Sequence, residues 1–105
     1  MTDAALDALG NPERRRILRL LGDGPKSVGE LAEAFTISRP AVSRHLAQLQ
    51  RAGLVSHRGH GNRNLYSLDA RGFDTIHNWL DSFWSEAETR LRLLAENLPE
   101  DKSHG

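Results

Sequence analysis

The chain contains no cysteine. This absence excludes disulfides, thiolate metal sites and redox sensing through a thiol. The chain also lacks a run of about eighteen apolar residues, which a membrane-spanning helix needs. Its first ten residues, MTDAALDALG, have no basic segment followed by an apolar one, so they do not resemble a secretory signal. We therefore expect a cytoplasmic protein that does not contact a membrane.

Catalytic constellations are also missing. A chain of 105 residues is long enough for one domain with a modest core. The carboxylates of its C-terminal third lie on one predicted helix, with no convergent nucleophile, glycine-rich phosphate loop or set of metal ligands. Ser43 and His45 stand two positions apart on a predicted helix and point in different directions, so they cannot form a nucleophile–base pair. We do not expect an enzyme.

Acidic residues are absent from the middle of the chain. The formal net charge is zero, yet no Asp or Glu occurs between Glu33 and Asp69. The basic residues of this segment are Arg39, Arg44, Arg51, Arg58 and Arg63, together with His45, His57 and His60. A solvated surface normally mixes both signs, so a long stretch of one sign points to a polyanionic partner. Chance in a small protein is the alternative, and charge by itself leaves it open.

The apolar spacing predicts four helices, then two strands, then one long helix. Capping signals place helix starts at Asn11, Ser27 and Ser38. Pro40 falls in the first turn of the fourth helix, where a missing N–H costs nothing. LVSHR and NLYSL predict a β-hairpin, joined by a flexible, glycine-rich tip of sequence GHGNR. The predicted fold class is mainly α with a β-hairpin, in the order α-α-α-α-β-β-α.

The third and fourth helices, joined by a predicted two-residue turn at Thr36-Ile37, form a helix-turn-helix. At about 100° per residue, Val42, Leu46 and Leu49 of the fourth helix face the core. The opposite face carries small, basic and amide side chains that suit a major groove, where Arg can pair with guanine and Gln with adenine. The DNA-binding residues predicted on this helix are Ser38, Arg39, Pro40, Ser43, Arg44 and Gln48.

The hairpin tip supplies a second set of candidate DNA contacts. Its predicted contact residues are Arg58, His60, Asn62 and Arg63. Arginine is favoured in a narrow minor groove, so this tip suits the wing of a winged helix-turn-helix. An ordinary exposed hairpin is the alternative, but the position directly after a basic helix-turn-helix favours a wing.

The last helix is longer than its own small domain can cover, so part of its apolar surface needs a partner. A homodimer through the first and last helices would satisfy it. The predicted interface residues are Leu6, Leu9, Phe73, Ile76, Leu80, Phe83, Trp84 and Leu91. Packing across its own domain is the alternative, and it would leave Phe83, Trp84 and Leu91 as an exposed patch.

Four segments, NPERRRILRLL, SVGELAEAF, SRPAVSRHLAQLQRAGLV and GNRNLYSLD, resemble the ArsR/SmtB family of bacterial transcriptional repressors in their order and spacing. The resemblance covers roughly residues 4–95. It implies a homodimer that binds double-stranded DNA at an imperfect palindromic operator and represses transcription, often of its own operon. Residues 1–98 are then one winged helix-turn-helix domain, with a dimerisation helix from about 70 to 98, and 99–105 a flexible tail.

The metal sites known in this family are not matched. Its two-cysteine site falls on Ala32 and Ala34 here. Its second site uses an Asp-x-His pair with a later His and Glu. Here Asp74 and His77 have the wrong spacing for the pair, and Glu88 stands where the second His would be. No metal or cofactor is therefore predicted, and any effector ligand stays unnamed. Two alternatives remain open: a metal-responsive repressor that uses His77 with nearby carboxylates, and a winged helix that binds only protein.

Overall fold

The computed structural model describes residues 2–98 of the chain. The elements are α1 Thr2–Leu9, α2 Pro12–Leu21, α3 Val28–Glu33, α4 Arg39–Arg51, β1 Val55–His60, β2 Arg63–Leu68 and α5 Ala70–Asn97. The predicted order of four helices, a hairpin and a long helix is confirmed. Within the described part of the chain, no helix is long and apolar enough to cross a membrane. The tail predicted for residues 99–105 lies outside the described residues.

Side-chain caps fix the starts of three helices where the sequence predicts them. The Oδ1 of Asn11 accepts hydrogen bonds from two backbone N–H groups in the first turn of α2, at 2.8 and 3.1 Å. Ser27 and Glu30 form a reciprocal capping box at the start of α3. The Oγ of Ser38 accepts a backbone N–H in the first turn of α4 at 3.3 Å. Each cap satisfies a donor that has no partner inside its helix.

The turn between α3 and α4 is longer than the predicted Thr36-Ile37 pair, because α3 already ends at Glu33. The connecting segment includes Phe35, whose ring is 8% exposed and belongs to the core. The guanidinium of Arg16 lies 4.7 Å from the centre of this ring and covers its outer side. Burial of this ring stabilises the fold and compensates for the helical hydrogen bonds that are not formed because α3 ends at Glu33.

The hairpin is more regular than predicted. Its strands pair antiparallel along their full length, and His60 pairs with Arg63, so the turn contains only Gly61 and Asn62. The prediction of a flexible five-residue tip is therefore wrong. Gly61 has φ +63°, and among residues 2–98 only glycines have a positive φ. Glycine at the first central position is what a type II′ turn requires, and that turn matches the twist of the strands.

The hairpin is tied to the helices along the outer edge of β2. The backbone N–H of Lys26 donates to the carbonyl of Tyr66 at 2.9 Å, and the N–H of Tyr66 donates back to Lys26 at 2.8 Å. Lys26 lies just before α3 in the chain. The hairpin is thereby held beside the helix-turn-helix.

Helix α4 is anchored by one fully buried face. Val42, Leu46 and Leu49 are all 0% exposed, which confirms the predicted inward face. They belong to a single cluster of buried apolar side chains contributed by every helix and by β1. Burial of each such side chain stabilises the fold by about 1.5–3 kcal/mol, so rotation of α4 about its own axis would be costly.

Two glycines set the direction in which α5 leaves the domain. Gly53 ends α4 with φ +76°, and the N–H groups of Gly53 and Leu54 bond back to Gln50 and Leu49 in a Schellman arrangement. The N–H of Gly72, in the first turn of α5, donates to the carbonyl of Gly53 at 2.8 Å. A Cβ at Gly72 would lie 2.5 Å from that oxygen. Only glycine permits this contact between the two helix ends.

Beyond its first turns, α5 projects away from the rest of the domain. It contains 28 residues, and the principal extents of the molecule are 69 × 26 × 21 Å. Asp69 caps it by accepting the N–H of Arg71 at 3.0 Å. Its N-terminal part packs on α1 and its last fully buried residue is Ile76, which belongs to the core of its own chain.

Alanine in place of Gly72 should destabilise the protein, although Ala normally stabilises a helix interior by about 1 kcal/mol relative to Gly. The added Cβ would meet the Gly53 carbonyl at 2.5 Å and force α5 to move. We expect a loss of about 1–3 kcal/mol in the free energy of unfolding, measured in urea. Gly59→Ala is the control, because its Cβ would meet only a side-chain atom at 3.9 Å. Equal stability of the two variants would contradict the account.

Candidate nucleic-acid interface

The face of α4 opposite its buried anchor is exposed. Ser43, Arg44 and Ala47 are solvent-accessible, whereas Val42 and Leu46 are buried. All of the DNA-binding residues predicted at the start and along the outer face of α4 are exposed: Ser38, Arg39, Pro40, Ser43, Arg44 and Gln48. The structure therefore presents them together on one surface.

His45 does not belong to this exposed face. Its imidazole is 18% exposed, and its Nε2 lies 3.1 Å from the Oε2 of Glu13 on α2. This contact joins the two helices at the edge of the core. It agrees with the sequence prediction that His45 sits beside the buried face rather than on the outer one.

The hairpin carries its basic side chains on one face. Arg58 is two residues from His60, and His60 pairs with Arg63 across the strands, so the three share a face of the pleated hairpin. All three are exposed, as is Asn62 in the turn. The predicted wing residues are therefore brought together, although on a paired hairpin rather than on a flexible loop.

A cleft of about 450 Å³ joins the hairpin to the start of α4, and Arg39, Asn62 and Arg63 all line it. The guanidinium of Arg39 lies over the start of α3, where a Cβ at Gly29 would stand 3.1 Å from it. The two predicted contact surfaces, on α4 and on the hairpin, are thus neighbours around one cleft.

Glu30 places a negative charge beside the hairpin, a feature that sequence reasoning missed. Its carboxylate lies 3.8 Å from the guanidinium of Arg63 and also accepts the backbone N–H of Ser27 at 3.0 Å. Hydrogen bonds from Ser27 lower the pKa of Glu30, and the positive charge of Arg63 lowers it further. Glu30 precedes the acid-free segment, so the chain order gives no sign that it faces Arg63.

Gln48 is already engaged inside the protein. The Nη1 of Arg14 donates a hydrogen bond to its Oε1. Arg14 also donates from Nε to the carbonyl of Ala8 at 2.7 Å and from Nη2 to the carbonyl of Asp7 at 3.2 Å. Gln48 is therefore not a free side chain, because its amide oxygen already accepts one hydrogen bond from Arg14. Sequence reasoning gave Arg14 no role.

Comparison with known proteins places the chain in a family. The profile described as bacterial regulatory protein, arsR family, matches residues 11–57. The HTH-type transcriptional regulator Rv2034 of Mycobacterium tuberculosis is 42% identical over 94% of this chain and 92% of its own length. This protein belongs to the arsR family. The transcriptional repressor SdpR of Bacillus subtilis is 36% identical over 80% of this chain and 93% of its own length.

Solved structures agree with this membership. An ArsR-like transcriptional regulator from Rhodococcus sp. RHA1 superposes with a TM-score of 0.85 at 26% identity, over 95% of this chain and 94% of its own. A homodimeric winged helix-turn-helix DNA-binding domain of Mycobacterium bovis superposes with a TM-score of 0.62 at 27% identity, over 85% of this chain and 80% of its own. The arsR-family chain is thus a DNA-binding transcription regulator with a winged helix-turn-helix fold, in which the β1–β2 hairpin has the position of the wing.

The residues predicted for a dimer interface divide into two groups in this arsR-family protein. Leu80, Phe83, Trp84 and Leu91 on α5 are 49–57% exposed. Ile76 is buried, and Leu6, Leu9 and Phe73 pack against the same core. Ile76 therefore offers little surface to a second copy of the chain, because the first turns of α5 pack on α1 of the same chain. The exposed members, which we call the α5 stripe, are Leu80, Phe83, Trp84 and Leu91.

Large apolar side chains beyond the α5 stripe are exposed as well. They are Trp79, Leu93, Leu94 and Leu98, and the ring of Trp79 stacks on Phe83 with centroids 5.5 Å apart. Across residues 2–98, no three His, Asp or Glu side chains come close enough to hold a metal ion. Within one described chain, His77 therefore has no set of carboxylates gathered around it.

Acid should destabilise the fold through two capping carboxylates. Hydrogen bonds from Ser27 lower the pKa of Glu30, and the side chain of Arg71 lowers the pKa of Asp69. A lowered folded-state pKa means that stabilisation is present above the unfolded value of about 4 and is lost as the pH falls through the folded value. We expect the free energy of unfolding to fall steadily below about pH 5.

The double variant Glu30→Gln, Asp69→Asn should flatten this pH dependence in urea titrations, since neither amide can titrate. Gln keeps a hydrogen-bonding group for the capping box, which protects the fold at neutral pH. Glu96→Gln on the exposed end of α5 is the control and should keep the slope of the parent protein. An unchanged slope in the double variant would show that other carboxylates govern the acid transition.

Proposed function

We propose that this arsR-family protein is a homodimeric repressor that binds a palindromic operator and acts on its own promoter. The observation that carries the proposal is the exposed, acid-free face of α4 beside a wing of the same charge. A relative of similar length, SdpR, is named a transcriptional repressor. Residues 1–98 act as one unit in this proposal, and the protein works in the cytoplasm, where bacterial operators are.

Arg44 is the proposed base-reading residue of α4. It lies on the exposed face next to Ser43, and the neighbouring Ala47 is small enough to let the helix backbone approach base edges. A guanidinium can donate two parallel hydrogen bonds to guanine. The hydroxyls of Ser38 and Ser43 suit phosphate oxygens, which position the helix without reading sequence.

The wing supplies the second proposed contact. Arg58 and His60 share its exposed face with Arg63, and Asn62 stands at its tip. The wing is held at two points, by the backbone bonds between Lys26 and β2 and by the ion pair to Glu30. A wing fixed in this way can follow the DNA backbone or enter a minor groove at a set distance from α4.

The proposed dimer forms through the α5 stripe together with α1. Exposed side chains as large as Phe83 and Trp84, in a row along a projecting helix, favour a partner surface. The Mycobacterium bovis neighbour is homodimeric by its description. A two-fold axis would place the two recognition helices about 34 Å apart, one turn of DNA, and would require a palindrome.

Arg44→Ala should weaken specific binding by about 1–3 kcal/mol if Arg44 pairs with a guanine. The assay is fluorescence anisotropy over a salt series, with duplexes from the DNA upstream of the protein's own gene and with scrambled duplexes. Arg51→Ala is the control, because it removes the same charge from the end of the same helix. Arg51→Ala should lower the affinity for both duplexes by the same factor, whereas Arg44→Ala should reduce the preference for the upstream duplex over the scrambled one.

The parent protein in this assay tests the proposal as a whole. A specific regulator should lose affinity steeply with salt and prefer its own upstream DNA over scrambled DNA. Absence of any preference at every salt concentration would contradict the proposed function. An equal loss on both duplexes for Arg44→Ala would instead restrict that residue to phosphate contact.

Leu91→Asp should weaken the dimer, and operator binding with it, because the charge would enter the α5 stripe. Sedimentation velocity over a concentration series measures the dimer directly. Leu93→Asp is the matched control: Leu93 is 53% exposed but lies about 160° around the helix from Leu91 at ~100° per residue. A Leu91→Asp protein that dimerises as well as Leu93→Asp would show that the stripe is not the interface.

A further inference from the structure

Arg14 connects three helices through one side chain. Its guanidinium donates to two carbonyls at the end of α1, those of Asp7 and Ala8, and to the side chain of Gln48 on α4. Its own backbone N–H is held at 3.1 Å by the Asn11 cap at the start of α2. The planar fork of a guanidinium has a fixed geometry, so these acceptors are held in a set relation to one another.

The contact to α1 satisfies groups that the helix cannot satisfy itself. The last four carbonyls of a helix have no intrahelical partner, and α1 has only eight residues. Arg14 takes the carbonyls of Asp7 and Ala8, and Arg15 donates to the carbonyl of Leu9 at 2.7 Å. Two consecutive arginines therefore close the end of α1, but only Arg14 also contacts α4.

The contact to α4 fixes the orientation of the Gln48 amide. A guanidinium is a donor only, so the atom that faces Arg14 must be the amide oxygen. One lone pair of this oxygen is then taken, and the oxygen is turned toward Arg14, while the NH₂ group remains for other partners. Pairing with adenine needs an amide that accepts and donates at once. In this orientation the NH₂ group, which makes no bond to Arg14, is the group of Gln48 that is offered to DNA.

We propose that Arg14 is a positioning residue that joins α1 to α4 and holds the Gln48 amide with its oxygen toward Arg14, so that the NH₂ group is presented to DNA. The inference rests on the proposed function for its DNA part. Gln48 would then contact a phosphate oxygen, or the acceptor atoms of guanine or thymine, and would not select adenine. Because α1 also belongs to the proposed dimer interface, Arg14 gives that interface a direct connection to a DNA-facing side chain.

The positioning of Gln48 is tested in the free protein, without DNA. Arg14→Lys keeps the charge but loses the planar fork, so one ammonium cannot hold the same three acceptors. Arg15→Lys is the matched control, since it weakens the same end of α1 without a contact to α4. The readout is the side-chain amide signal of Gln48 in ¹⁵N–¹H NMR spectra, assigned with Gln48→Ala. The chemical shifts of this signal should change in Arg14→Lys and remain those of the parent in Arg15→Lys. Equal shifts in the two variants would overturn the proposal that Arg14 positions Gln48.

The DNA part is tested with the duplex that the parent protein selects from a random library. Arg14→Lys and Gln48→Ala should each lower the affinity for this duplex about fivefold or more. The double variant should bind as well as the more weakly binding single variant, because both substitutions remove the same Arg14–Gln48 contact. Arg15→Lys, compared at equal dimer concentration, should bind as the parent does. Losses of affinity that add up in the double variant would overturn the proposal. So would a strict requirement for adenine at one position of the duplex that disappears in Gln48→Ala.

These tests separate the inference from the proposed function. If the parent protein selects no sequence, the proposed function fails and the DNA part of the inference falls with it. The NMR comparison still decides whether Arg14 positions Gln48. If the parent selects a palindrome but Arg14→Lys behaves as Arg15→Lys does in both assays, the proposed function stands and the inference fails.

Discussion

The burial of one face of α4 is the constraint on which the proposed DNA-binding surface depends. Val42, Leu46 and Leu49 are fully enclosed by the other elements, so the helix cannot turn without exposing apolar surface. Because side chains project at fixed angles from a helix, this fixes Ser43 and Arg44 on the outside. The wing then needs only a fixed distance from α4, and the backbone bonds of Lys26 to β2 supply it.

Charge is segregated along the chain and again in space. The acid-free segment folds into α4 and the wing, and Arg39 and Arg63 from these two elements line one cleft together with Glu30 and Glu33 of α3. Two contacts from outside the segment act on this surface: the carboxylate of Glu30 faces Arg63, and Arg14 donates to the oxygen of Gln48. The surface that we propose for DNA is therefore shaped in part by residues outside α4 and the wing.

Features encoded by neighbouring residues were predictable from the sequence. The caps at Asn11, Ser27 and Ser38, the buried face of α4 and the length of α5 follow from spacing within one element. The hairpin tip was predicted too long because both of its glycines resembled turn residues, whereas only Gly61 has a positive φ. Contacts between distant elements left no local pattern: the carbonyl of Gly53 against Gly72, Arg14 with Gln48, and the packing of Ile76 on its own core.

We propose that DNA lies on the face of α4 and the wing, and that the projecting part of α5 contacts a second copy of the chain. Mapping backbone amide signals by NMR during titration with a selected duplex tests this division most directly. The largest changes should fall in residues 38–48 and 58–63, with residues 79–98 little affected. Changes concentrated in residues 79–98, with α4 and the wing unmoved, would contradict the account.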